Sequence, residues 1–165
     1  MNHQSRRPSQ RRKASDSGPQ RRAEAAALAR MARRLHVPSL QPNVALQAGE
    51  GRAVLDGLYV GADRVVMVEV NAHVGPLKSA QRHKVLSDAF KLAMVSKLYA
   101  RQWRKRSIER ILVFVDDGPL ARLGPTTWAG AALDAAGVSV QVCKCGSRER
   151  EALMAAQKRQ DIRNG

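Results

Sequence analysis

Residues 55–75 read LDGLYVGADRVVMVEVNAHVG. Two Val-rich runs flank Gly61-Ala62-Asp63, which predicts two antiparallel strands joined by a hairpin. On the second of these the side-chain period of two places Glu69, Asn71 and His73 on one face and Val68, Val70 and Ala72 on the other. Asp56 precedes Glu69 by 13 residues across the hairpin, so adjacent strands can bring the two carboxylates within a few ångströms. Mg²⁺ or Mn²⁺ suits such a pair, because a hard ion is commonly held by one or two carboxylates together with waters and substrate phosphates.

Outward from this hairpin the elements alternate. Upstream, RRAEAAALARMARRLHV beginning at Arg21 carries an apolar helical stripe closed by Pro38, and a first strand is expected near 44–48. The hairpin strands are expected near 52–60 and 64–74. Downstream, Lys78 to about Arg104 contains neither Gly nor Pro and repeats apolar residues at helical spacing. Ile108–Val115 is nearly all apolar, as a strand buried on both faces would be. A broken helical stretch over 120–136, a strand VSVQVCK and a helix over 147–159 complete the chain. The fold class expected is α/β, with a mixed central sheet flanked by helices: an α-β-β-β-α-β core with an added α-β-α extension at the C-terminus. In domain terms the expectation is a disordered basic arm over 1–20 lacking Leu, Ile, Val and aromatics, a single α/β domain over 21–160 and a short flexible tail over 161–165.

Charge identifies the class of partner. Among 165 residues, 29 Lys and Arg stand against 14 Asp and Glu, a formal charge of +15, with +8 of it in residues 1–34. Such a surplus calls for a polyanion, with nucleic acid foremost and DNA favoured over RNA. Aromatics make up only 4% of the chain, too few for a platform that stacks successive bases. No apolar run reaches membrane-spanning length, so no membrane partner and a cytoplasmic location are expected. Cys143 and Cys145 alone support neither a disulfide framework nor a four-thiolate zinc site.

The order of elements, with Asp56 on the second strand and Glu69-Val70-Asn71 on the third, resembles the PD-(D/E)xK nuclease superfamily, the restriction-endonuclease-like fold. The resemblance spans roughly residues 21–117 and is strongest over 53–92. It implies a metal-dependent nuclease in which Asp56 and Glu69 are metal ligands. Asn71 departs from the pattern, standing where that family has the Lys that polarises the attacking water. Some members supply the Lys from the following helix, where this chain offers Lys78 and Lys84. Loss of the charge is equally compatible with a noncatalytic nucleic-acid-binding protein, or with a basic interaction module.

Other polar residues have ordinary readings. Lys84, Asp88 and Lys91 at i, i+4 and i+7 suggest a salt-bridged helix face in solvent. Asp117-Gly118-Pro119 suits a helix start with Asp117 as cap. His73 suits a structural role and the two cysteines suit packing. Arg101, Arg104, Lys105 and Arg106, beside Tyr99 and Trp103, form the densest basic cluster of the folded part and are expected to contact phosphates.

Overall fold

A computed structural model describes residues 18–164. The elements are α1 (Gly18–Arg34), β1 (Gln41–Ala48), β2 (Gly51–Val60), β3 (Arg64–Asn71), α2 (Ser79–Leu98), β4 (Ser107–Phe114), a 3-10 turn (Gly118–Arg122), α3 (Trp128–Ala135), β5 (Ser139–Val142) and α4 (Ser147–Asn164). The five strands lie side by side in chain order. β1–β2 and β2–β3 are antiparallel, whereas β3–β4 and β4–β5 are parallel. The expected α/β class and mixed, helix-flanked sheet are therefore present.

Alternation along the strands builds a core on each face of the sheet. Val66, Val68 and Val70 of β3, with Ile111 and Val113 of β4, pack against Ala27, Leu28 and Met31 of α1 and Leu153 of α4. Val65 and Met67, with Leu112 and Phe114, pack against Val85, Ala89, Leu92 and Val95 of α2 and Leu133 of α3. Because β3 is covered on both faces, all of its residues after Arg64 are buried. The parallel pairing of β3 with β4 makes α2 the crossover helix and directs the carboxyl end of β3 toward the start of α2.

Several boundaries differ from the sequence expectations. α2 stops at Leu98, and residues 99–106 form turns around Trp103, which is buried and stacked on Tyr99 with ring centroids 5.0 Å apart. α4 spans Ser147–Asn164, longer than the expected 147–159, and its Asp161 carboxylate holds Lys78. Asp117 precedes the 3-10 turn without a side-chain capping bond and instead pairs with Lys144. Asp116 is the local acceptor, taking the N–H groups of Gly75 and Gly118. Residues 1–17, most of the expected basic arm, lie outside the described residues.

Candidate active site

The site begins with a break in β2. β1 pairs with β2 on either side of Asn43 and Asp56, but these two are passed over, and Asn43 has φ +52°. The β2–β3 ladder likewise ends at Gly57↔Val68, one step short of Asp56 and Glu69. Ala53, Leu55 and Leu58 all reach the core on the α2 side, so strict alternation is lost between Leu55 and Leu58. This local twist directs Asp56 into the gap between strands, where its Oδ2 accepts the N–H of Val70 at 2.8 Å. A side-chain carboxylate has taken the place of a ladder acceptor. Asp56-Gly57 is thus a kink within β2. The missing Cβ of Gly57 leaves room for Leu28, whose Cδ2 would lie 2.6 Å from it, and so lets α1 approach the sheet here.

Glu69 enters from β3 on the α2 side and is 2% exposed. Its Oε2 accepts from Lys91 Nζ at 2.6 Å, and the same ammonium donates to the Val54 carbonyl at 2.9 Å. Its Oε1 is buried with no partner. Burial, reinforced by the negative charge of Asp56, raises the Glu69 carboxyl to about 8 against the opposing influence of Lys91. Since Lys91 occupies Oε2, the atom left for a proton or a cation is Oε1.

α2 faces this carboxylate with a charged stripe. Lys84 Nζ donates to Asp88 Oδ2 at 2.7 Å, and Lys91 Nζ lies 3.6 Å from Asp88 Oδ1. Burial disfavours the Lys84 charge, but its bond to Asp88 and the charges of Asp88, Asp56 and Glu69 outweigh burial and hold it above the ordinary lysine range. Opposite, α1 contributes Glu24. Burial and the charge of Asp56 raise its carboxyl, while Gln20, Lys84 and Arg21 pull it down. Arg21, Glu24, Asn43 and Asp56 line one cleft of about 350 Å³.

The structure thus brings Asp56, Glu69 and Lys84 together and adds three residues that the sequence reading passed over as site members. Asp88 and Lys91 are not a solvated face. Their side chains are 14% and 26% exposed and turned to Glu69 and Lys84. In the sequence 84, 88 and 91 run directly beside the buried 85, 89, 92 stripe, a position that suits a solvated face and an inward-turned one equally. Glu24 was marked only by being acidic in an Ala- and Arg-rich helix. Asn71 lies one pleat beyond Glu69 on the same strand face, with its Oδ1 buried and unpartnered.

Other expected site members lie elsewhere. Lys78 is at the outer rim, engaged with Asp161 at 2.9 Å on the surface. The Arg101–Arg106 cluster belongs to the other end of the sheet: Arg106 donates to the Gly61 carbonyl at 2.7 Å, next to the β2–β3 hairpin. Five residues of β3 separate that end from Glu69, about 17 Å of extended chain. Arg101, Arg104 and Lys105 are exposed, while Trp103 is core. His73 is structural. The Oε1 atoms of Gln81 and Gln157 accept the Lys78 and Val74 N–H groups, so both amide nitrogens face His73 Nδ1, at 3.1 and 2.9 Å. Nδ1 is consequently an acceptor, and burial agrees in holding the imidazole below its usual range.

A divalent cation fits this donor set. Among the described residues no three His, Cys, Asp or Glu side chains converge as a preformed cage. Mg²⁺ needs none, since it keeps several waters and takes one or two carboxylates. The unpartnered Glu69 Oε1 is the available hard oxygen. Among the described residues no helix is long and apolar enough to cross a membrane. Compared with protein-family models, curated sequences and solved structures, the chain matches none of them.

Proposed function

We propose that the protein is a metal-dependent phosphodiesterase that hydrolyses nucleic acid, DNA in the first instance, on a restriction-endonuclease-like α-β-β-β-α-β core. The observation that carries this is the split between β2 and β3, where the ladder stops one step short of Asp56 and Glu69, Asp56 accepts the N–H of Val70 next to Glu69, and one Glu69 oxygen is buried and unpartnered. A buried carboxylate with an open oxygen, next to a second carboxylate and a lysine-bearing helix, suits a phosphate-cleaving site better than a core. Asp56 and Glu69 would hold Mg²⁺ or Mn²⁺, which when bound supplies Lewis acidity at the phosphate and the attacking water. Lys84, whose ammonium is held charged, neutralises charge that develops on the phosphate, the task Asn71 cannot perform. Lys91 orients Glu69 by fixing Oε2, and Asp88 holds both lysines on the site side of α2. Lys78 is too far engaged with Asp161 to share this work.

The runner-up is a noncatalytic nucleic-acid-binding protein, favoured by two observations: Lys91 already balances Glu69, and position 71 is neutral. Cleavage of labelled single- and double-stranded DNA with Mn²⁺, alongside calorimetric Mn²⁺ titration, separates the two. Cation binding and cleavage that both disappear in Asp56→Ala and Glu69→Ala are expected. DNA binding without either cation binding or cleavage in the wild type would establish the runner-up instead.

A further inference from the structure

Beyond Asn71, at the carboxyl end of β3, a cleft of about 210 Å³ opens between α1, α2 and α4. Crevices at strand ends where a sheet changes direction of pairing are common ligand sites in α/β proteins. At ~30 Å³ per water it has the volume of about seven waters, the scale of a single nucleobase. Its walls are mostly amides, from Asn71, Gln20, Gln81, Gln157 and Gln160, with His73, and Lys84 is its cation. Three of these residues are preset, because Gln81 and Gln157 are locked by backbone N–H donors and His73 by their amide nitrogens.

The Asn71 side chain belongs to a residue only 8% exposed, and its Oδ1 has no partner. A buried acceptor left without a donor is costly, so its natural complement is a ligand N–H or O–H group. A phosphate, which is all acceptor, is the wrong ligand for it. An amide offers an acceptor and a donor side by side, and adenine presents the matching pair, its N6 amino group and N7. Asn71 lies two residues beyond Glu69 on the same face of β3, about 7 Å along the strand, so a base seated here would be within one nucleotide of a phosphate at the carboxylates.

We infer that the cleft takes one adenine base of the nucleic-acid substrate, read by the Asn71 amide and adjoining the phosphate held at the Asp56 and Glu69 site. This rests on the nucleic-acid reading above and adds a base preference that neither charge nor carboxylates confer. It also assigns Asn71 a use: recognition in place of the missing lysine chemistry.

Fluorescence anisotropy in EDTA, with labelled oligo(dA), oligo(dT) and an oligomer of purine deoxyriboside lacking the 6-amino group, tests it without cleavage. The wild type is expected to bind oligo(dA) about tenfold more tightly than either of the others, within the range for a bidentate amide–adenine pair. Asn71→Leu and Asn71→Asp are expected to bind all three alike and with an unchanged salt dependence. Should these variants fold poorly, the wild-type comparison of oligo(dA) with the purine oligomer still decides, because only the 6-amino group differs. Equal affinity for those two, or a preference that survives in both Asn71 variants, overturns the inference and leaves the nucleic-acid reading standing. Failure to bind any oligonucleotide at low salt overturns both.

Discussion

The two ends of β3 carry comparable densities of charge and use them in opposite ways. At the carboxyl end, Glu69, Asp88 and Lys91 are largely removed from water and compensate one another, with Asp56 half-buried beside them and Lys84 reaching in to Asp88 from an exposed position. At the hairpin end, Arg101, Arg104 and Lys105 stand in solvent, and only Arg106 is tied down, on the Gly61 carbonyl. Buried charges must be balanced at close range, which selects specific partners and leaves any surplus demand, here the free Glu69 oxygen, directed at a ligand. Exposed charges of one sign need no partner and supply attraction without geometry. The first end is suited to chemistry and the second to long-range steering.

This contrast can be broken by mutation. The largest effect is expected from Glu69→Ala, which should reduce Mn²⁺-dependent cleavage to background even at saturating DNA. Joint charge reversal of Arg101, Arg104 and Lys105 should leave kcat near that of the wild type. Single-turnover cleavage measures both. If the triple variant loses kcat and Glu69→Ala does not, the two ends have been assigned the wrong way round.

Next comes Lys91→Met, which leaves a buried carboxylate unpaired. Breaking such a pair costs about 3 kcal/mol in typical cases. The loss should be greater at pH 9 than at pH 6, because below about 8 Glu69 can take a proton instead of keeping its charge. Urea denaturation at the two pH values checks this, and equal, small losses would make Lys91 an ordinary surface residue.

The pH dependence of the wild type follows from the same carboxyl. Its folded-state value of about 8 lies above the ordinary 4.5, so the folded state binds the proton more tightly than the unfolded one. Its contribution to stability is therefore complete below about pH 4.5 and is lost as pH rises toward 8, with a slope approaching 1.4 kcal/mol per pH unit. Glu69→Gln should flatten that slope. Mn²⁺ affinity should rise over the upper part of the same window, since the cation displaces the proton. A wild-type slope that Glu69→Gln leaves unchanged would assign the titration to another group.

The smallest effect belongs to the hairpin end. Reversing Arg101, Arg104 and Lys105 should alter stability by less than about 0.5 kcal/mol, as surface changes do. The slope of log K against log salt should fall by about 0.9 for each phosphate that the variant no longer neutralises. An unchanged slope would remove this end from the nucleic-acid interface.

Element order and the Glu69 face of β3 were legible because hairpin geometry and a period of two are local properties. Lys91 was not. A helix stripe at 84, 88 and 91 looks the same whether it meets water or a carboxylate, and only the packing of α2 across β3 turns it inward. Glu24 was hidden for the same reason, its relevance depending on how closely α1 approaches at Gly57. The aromatic neighbours of the basic cluster misled: Trp103 lies in the core, where a large apolar side chain gains more from burial than from the surface.

By itself, then, the amino-acid order determined the alternation of helices and strands, a core without many aromatics, the +15 surplus and the two carboxylates one hairpin apart. Periodicity, composition and short-range spacing are written residue by residue. Tertiary structure decided which charges oppose which. It kinked β2 at Asp56, placed Lys91 on the Glu69 carboxylate, tied Lys78 to Asp161 and carried the Arg101–Arg106 cluster to the far end of the sheet. Those outcomes depend on long-range packing and on burial, which change the energy of a charge far more than its neighbours in sequence do.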